Sequence, residues 1–129
     1  MNRNKRWISA KHKCLTEVLT DHELASLGDA YVNFAYSLAL SIDRRRPAGA
    51  KVKGTVLATA VKKAGLRQYL PSRMTRHSLS DAAESLIVYA WLNSCITLDE
   101  TIAALANSED HVEGFGKLLE VIRRRITFP

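Results

Sequence analysis

The sequence predicts a single all-α domain, and three observations lead to that prediction. Apolar residues recur at steps of three and four over several long segments, which is the spacing of one face of a helix. The T-x-x-E pattern of a capping box occurs at Thr20 and again at Thr97. No segment shows the apolar–polar alternation of a half-buried strand. A chain of 129 residues is long enough to bury one core and too short for two.

The composition is globular and favours an anionic partner. Hydrophobic residues make up 47% of the chain and the formal net charge is +6, which favours nucleic acid first, and a membrane surface or an acidic protein second. No apolar run reaches the ~18 residues of a membrane span, and the start lacks the apolar region of a signal peptide. Cys14 and Cys95 lack metal-ligand spacing, so we expect them to be free thiols in a reducing cytoplasm. Because the chain has no membrane-spanning run, we also expect it to contact no membrane.

The N-terminal elements follow from charge and capping signals. Residues 1–13 are rich in Lys and Arg and contain no acid, which predicts a basic arm, and residues 14–129 are predicted to form the folded domain. A short helix is predicted over residues 14–19. The first long helix is predicted from the Thr20 capping box to about Asp43. Its apolar stripe, expected to pack inward, consists of Leu24, Leu27, Tyr31, Phe34, Leu38 and Ile42.

A neighbouring face of the same helix carries Ala25, Asp29, Asn33 and Tyr36. Asp29 directly follows Gly28, and a glycine inside a helix costs about 1 kcal/mol relative to alanine. We therefore predict that another helix approaches closely at Gly28. Taken alone, Asp29 is expected to be a solvated acid on the outer side of the helix.

A basic loop and a second helix follow. Three arginines at residues 44–46 and then Pro47 end the first long helix. The second helix is predicted from Lys51 or Lys53 to Ala64, with Gly65 as its left-handed C-terminal residue. Residues 66–70 are expected to form one short turn that ends at Pro71, and residues 73–77 to form a compact basic loop.

The central helix is predicted from its composition. Residues 86–96 are apolar apart from Asn93 and Ser94, so we expect this helix to be buried in the middle of the domain. Its expected N-cap is Ser78. Asp81 and Glu84 are three residues apart and point to the same side, and carboxylates directed inward need a cation, a hydrogen-bond network or a metal. Capping and the helix dipole account for Asp81 but not for Glu84.

Two shorter helices complete the chain. The capping box of Thr97 and Glu100 predicts a helix over residues 98–106. Asn107 or Ser108 is expected to open the last helix. Its apolar stripe consists of Val112, Phe115, Leu118, Leu119, Ile122 and Ile126.

Three stretches together resemble the ribonuclease III family. LASLGDA at residues 24–30 resembles the signature helix ERLEFLGD, and KGTVLATAVKKAGL at residues 53–66 resembles the next helix of that fold. SDAAESLIVYAWL at residues 80–92 is similar to the second acidic motif, D-x-x-E followed by A-L-I-G-A. The resemblance covers about residues 24–119. It implies the helical fold of the ribonuclease III endonuclease domain, in a small Mini-type form without a double-stranded-RNA-binding domain.

The resemblance also implies a reaction and its residues. Asp29, Asp81 and Glu84 correspond to family acids that bind Mg²⁺ (or Mn²⁺), which activates water to hydrolyse phosphodiesters in double-stranded or structured RNA. Mg²⁺ prefers oxygen ligands and keeps several waters, and two ions about 4 Å apart can bracket one scissile phosphate. A metal-dependent endoribonuclease that acts as a homodimer is therefore implied.

Two positions depart from the family pattern. Ala25 stands where the family has a glutamate four residues before the aspartate, so one carboxylate ligand is missing; Mini-type members also carry alanine there. Glu23 points elsewhere on the helix and is not a substitute. Ser26 stands where the family has a bulky aromatic residue that inserts into the partner subunit.

Basic residues near the acidic segments are predicted to contact RNA phosphates without reading sequence. These residues are Arg44, Arg45, Arg46, Lys51, Lys53, Arg73, Arg76 and His77.

The sequence leaves other functions open. A catalytically weak or inactive relative that binds structured RNA or the ribosome is favoured by Ala25. The enzyme is favoured by the three retained acids, because like charges repel each other when no cation is bound. A helical DNA-binding regulator rests on charge alone and lacks a recognisable recognition-helix pair.

Overall fold

The computed structural model describes Ile8 and residues 11–128, and in these residues the chain forms six α-helices and no strand. The helices are α1 (Leu15–Leu19), α2 (His22–Arg44), α3 (Gly54–Lys63), α4 (Arg76–Leu92), α5 (Leu98–Ala106) and α6 (His111–Arg125), with a 3-10 turn at Arg67–Tyr69. The predicted all-α fold is confirmed. Most of the predicted basic arm, residues 1–7, 9 and 10, lies outside the described residues.

Helix α4 lies at the centre of the fold, in contact with α1, α2, α3 and α6. All of its residues from Ala82 to Ala90 are buried, which confirms the predicted buried helix. Helix α5 packs on α2 and α6 instead. None of the helices in the described part of the chain is long and apolar enough to cross a membrane.

The ends of α4 differ from the prediction. The hydroxyl of Thr75 accepts a hydrogen bond from Ser78 N at 3.0 Å, so Thr75 is the N-cap and Ser78 is not. The helix therefore begins earlier than predicted, and His77 belongs to its first turn instead of a loop. It ends at Leu92, because Ser94 adopts a left-handed conformation with φ of 60°.

Helix α2 packs on α4 through its small residues. Its buried residues are Leu24, Ala25, Gly28, Val32, Ala35 and Ala39. The predicted inward stripe was therefore wrong at Leu27, Phe34 and Ile42, which are 39%, 54% and 57% exposed. Leu24 is buried, and Tyr31 is partly buried against the core, as predicted. Small side chains allow two helix backbones to approach, whereas a face of large side chains holds them apart.

Helix caps explain two further differences. The carboxylate of Asp21, not the hydroxyl of Thr20, caps α2, accepting from the backbone N–H groups of Glu23 and Leu24 at 2.9 and 3.0 Å. Thr20 instead donates to Thr16 O at the end of α1. Helix α6 is capped by Asp110, while Ser108 donates to Ala104 O in α5. In both cases a hydroxyl serves the preceding helix, and a carboxylate caps the next one.

The remaining helix ends and the state of the cysteines agree with the sequence predictions. Thr97 and Glu100 form the predicted capping box. Gly65 follows α3 with a positive φ of 74°, and Leu66 N donates to Val61 O at 3.2 Å, closing that helix as predicted. Cys14 and Cys95 are free thiols.

Candidate active site

Helices α2 and α4 approach closely where Gly28 meets the backbone of Glu84. A methyl group at Gly28 would overlap the carbonyl group of Glu84, which confirms the predicted close approach. Because Asp29 follows Gly28, this crossing places the Asp29 carboxylate beside the Glu84 side chain, and the two share a side-chain hydrogen bond. The crossing of two helices therefore pairs two acids that are far apart in sequence.

Asp81 completes the acidic group from one turn earlier on α4. It is half-buried, and its Oδ2 lies 3.6 Å from Nε2 of His77, four residues before it on the same helix. Asp29, Asp81 and Glu84 line one open cleft of about 510 Å³. Asp29 is solvent-exposed within it, as expected for an acid on the outer side of α2, but it is not isolated.

The electrostatics of the cleft centre on Glu84, which is only 6% exposed. Burial raises the pKa of Glu84, and the hydrogen bond with Asp29 and the negative charges of Asp29 and Asp81 raise it further, to about 8; the positive charge of Lys51 acts in the opposite direction. At neutral pH a pKa of about 8 favours the protonated form of the Glu84 carboxyl.

The donor set of the cleft fits a hard divalent cation. Glu84 is buried beside the negative charges of Asp29 and Asp81, and a cation in the cleft would reduce the repulsion among these groups. Within the described residues, no three His, Cys, Asp or Glu side chains are arranged to enclose a metal ion. The touching pair of Asp29 and Glu84 suits Mg²⁺, which binds through one or two carboxylates and keeps several waters.

The two departures from the family pattern lie in the same cleft. Ala25 and Ser26 both line it. Ala25 is buried and brings no polar side-chain atom to the cleft, so α2 contributes the single carboxylate of Asp29. Ser26 is exposed.

The predicted RNA-binding residues divide into two groups. Lys51 and His77 line the cleft, and the exposed Lys53 adjoins Gly54 of its wall. Arg76 begins α4 beside His77, and Arg73 lies in the segment that leads into this helix; both are exposed. The arginines at residues 44–46 are also exposed, but they lie at the other end of α2, about 22 Å from Asp29 along the helix axis.

Sequence reasoning missed three polar residues of the cleft, His22, Asn33 and Ser80. The available signal was helical spacing, since His22 lies two turns before Asp29 and Asn33 one turn after it. Asn33 is the better placed, because its Nδ2 donates to Asp29 Oδ1 at 3.1 Å and to Asp29 O at 2.8 Å.

Comparison with known proteins agrees with this arrangement. The family model described as Ribonuclease III matches residues 22–127. The match spans α2 to α6 and so includes all three acids of the cleft. No curated protein matches the chain.

Proposed function

The chain belongs to the ribonuclease III family, and from this premise we propose that it is a metal-dependent endoribonuclease that hydrolyses double-stranded or structured RNA. The observation that carries the proposal is the contact between Asp29 and Glu84 in an open cleft beside Asp81. A family match alone shows ancestry, whereas a crowded group of carboxyls is what a site for a divalent cation requires.

In this proposal Asp29 and Glu84 hold Mg²⁺ or Mn²⁺, and Asp81 is a third ligand or an acid that orients the ligands and water. When bound, the cation makes a water molecule nucleophilic and stabilises the leaving 3′ oxygen. A cation held there would compete with the Glu84 proton for the same oxygens. Asn33 fixes one oxygen of Asp29 by hydrogen bonding.

The RNA is held by charge around the cleft. Lys51, Lys53, Arg73, Arg76 and His77 are proposed to contact the phosphates next to the scissile bond. These contacts recognise the backbone and shape of a duplex and not its sequence. Arg44, Arg45 and Arg46 are proposed to contact a more distant part of the same RNA.

We further propose that the protein acts as a cytoplasmic homodimer. Leu27, Phe34 and Ile42 are separated by about two turns each, so they lie on one side of α2. Their exposure leaves a row of large apolar side chains in water, which is typical of a protein–protein interface. A second copy packed there would remove this row from water.

A second candidate function is a ribonuclease III relative that binds structured RNA or the ribosome and cleaves slowly or not at all. The observation that favours it is Ala25, which leaves the α2 wall of the cleft with the single carboxylate of Asp29.

One experiment separates the two functions. Purified protein is incubated at low salt with labelled double-stranded RNA and Mg²⁺ or Mn²⁺, beside a Glu84→Ala variant. Cleavage by the parent alone, leaving 5′ phosphates and short 3′ overhangs, is expected for the enzyme. If both proteins bind RNA and neither cuts it, the RNA-binding relative is supported. If neither protein binds RNA, both functions are wrong.

A further inference from the structure

The segment that joins α2 to α3 is attached along α2 by three side chains. Ser41 Oγ accepts a hydrogen bond from Ala48 N at 2.9 Å. Ser37 Oγ accepts from Ala50 N at 2.9 Å and donates to Ala50 O at 3.0 Å. Asn33 Oδ1 accepts from Val52 N at 2.8 Å. We name the hydrogen bonds of these three side chains to the segment the side-chain ladder.

The ladder follows from a match of two repeats. Asn33, Ser37 and Ser41 are four residues apart on α2, so each step rises about 6 Å. Their partners are two residues apart in extended chain, a step of about 6.6 Å. The two rows therefore stay in register, and the segment over residues 48–52 lies along the helix with the backbone N–H groups of Ala48, Ala50 and Val52 paired.

The ladder determines where Lys51 lies. Lys51 stands between the attached residues Ala50 and Val52, so the chain is held on both sides of it. Its side chain lines the acid cleft, and its positive charge lowers the pKa of Glu84. A lysine on an unattached loop would lose more conformational entropy when it binds a phosphate.

Asn33 differs from the two serines because its amide has a second partner. While Oδ1 accepts from Val52 N, Nδ2 donates to the Asp29 carboxylate at 3.1 Å. One side chain thus joins a proposed metal ligand to the segment that carries Lys51. Among the described residues, the hydroxyls of Ser37 and Ser41 bond only backbone groups and no acid; Ser41, for example, donates to Ser37 O within α2.

We propose that Asn33 is a positioning residue that orients the Asp29 carboxylate and holds Lys51 at the rim of the acid cleft, whereas Ser37 and Ser41 serve the second purpose only. This inference rests on the proposed function for the role of Asp29 as a metal ligand. The holding of the segment along α2 is independent of that function.

Two variants separate the two roles. In Asn33→Ser, a hydroxyl replaces the amide, as in Ser37 and Ser41, and keeps an acceptor for Val52 N but is too short to hold Asp29 Oδ1. In Ser37→Ala, the attachment of Ala50 is lost and the contact between Asn33 and Asp29 is kept. Cooperative thermal unfolding of both variants serves as the check that they fold.

The first measurement is the affinity for Mn²⁺ in the absence of RNA, determined by electron paramagnetic resonance. We expect Asn33→Ser to bind Mn²⁺ about tenfold more weakly, since residues that orient a metal ligand commonly contribute that much. We expect Ser37→Ala to match the wild type within about twofold. Cleavage by Asn33→Ser should recover at higher Mn²⁺ concentration.

The second measurement needs neither metal nor RNA. Trypsin cleaves after Lys51 and Lys53 only when the segment leaves α2, so Ser37→Ala should be cut there faster than the wild type. Asn33→Ser should be cut at about the wild-type rate.

The outcomes are distinct. If the wild type binds Mn²⁺ and Asn33→Ser binds it equally well, the orienting role of Asn33 is overturned. If Ser37→Ala resists trypsin as the wild type does, the holding role of the ladder is overturned. If the wild type binds no Mn²⁺, the proposed metal-dependent function fails together with the orienting role, while the trypsin result still decides whether the ladder holds Lys51.

Discussion

At the scale of single residues, Glu84 distinguishes this site from an ordinary acidic surface. Its carboxyl is buried, touches Asp29 and lies within the field of Asp81, and its pKa of about 8 follows from those three causes. A protein gains no stability from such a group without a cation, because burial and like charges both disfavour ionisation. This is the arrangement expected if the proposed cation binds here.

The pH dependence of stability tests this view of Glu84. The pKa is about 8 in the folded state against 4.5 for an unperturbed glutamate. Between these values the folded state holds a proton that the unfolded state releases, so the free energy of unfolding decreases as pH rises. We expect the melting temperature in EDTA to fall by several degrees from about pH 5 to about pH 8, as measured by circular dichroism.

The control for this prediction is Glu84→Gln, which keeps the shape and removes the titration. Its melting temperature should change less over the same range, and Mg²⁺ should raise the wild-type value at pH 8 but not that of the variant. A wild-type melting temperature that rises steadily over this range would contradict the assigned environment of Glu84.

At the scale of secondary-structure elements, the site is produced by the crossing of α2 and α4. The small face of α2 permits the approach, and at Gly28 there is no room for even a methyl group against the backbone of Glu84. The same crossing buries Glu84 and sets Asp29 beside it, so the packing of the two helices and the geometry of the acids cannot be changed independently.

Gly28→Ala tests the crossing. Because the added methyl group meets backbone atoms of α4, which cannot rotate away, the helices must separate. We expect a loss of about 3 kcal/mol in the free energy of unfolding, measured in urea, at the upper end of the usual cost of overpacking. RNA cleavage should fall as well, since Asp29 moves away from Glu84.

Gly116→Ala is the matched control within α6. A methyl group there meets no atom within 4 Å, and alanine favours a helix over glycine by about 1 kcal/mol. This variant should be as stable as the wild type or more so. Equal stability of Gly28→Ala and the wild type would show that α2 and α4 do not approach as closely as described.

At the scale of the whole molecule, α2 has three different sides. Its small residues face α4, its polar residues Asp29, Asn33 and Ser37 face the cleft and the attached segment, and Leu27 and Phe34 face outward. Large apolar side chains stay exposed at a cost in solubility, which a second copy of the chain would remove.

Phe34→Asp tests the proposed dimer. A charge at the middle of the apolar row cannot be buried against a second copy without a large penalty. We expect the wild type to sediment as a dimer in analytical ultracentrifugation and Phe34→Asp as a monomer.

Ala103→Asp adds the same charge on the exposed surface of α5 and should remain dimeric. A monomeric wild type, or a dimer that persists in Phe34→Asp, would exclude this side of α2 as the interface.

The sequence by itself determined the helices and the identity of the acids. Helical periodicity and the apolar run of α4 are local properties, so they predicted the all-α fold and the buried centre without knowledge of the neighbours. The motifs around Asp29 and Glu84 pointed to one family, and the matched residues confirm that family. Gly28 also predicted the close helix contact, because a glycine lowers the stability of a helix relative to alanine unless a close neighbour requires it.

Only the tertiary structure decided which side of each helix faces which partner. Periodicity gives α2 an apolar side, but the crossing with α4 selects the side with the smallest residues and leaves Phe34 outside. Caps at Asp21 and Asp110 depend on how the preceding hydroxyls are already engaged. The roles of Asn33 and Lys51 depend on hydrogen bonds between α2 and a segment whose path no local pattern specifies. Contacts between distant parts of a chain arise from packing, and packing is a property of all the elements together.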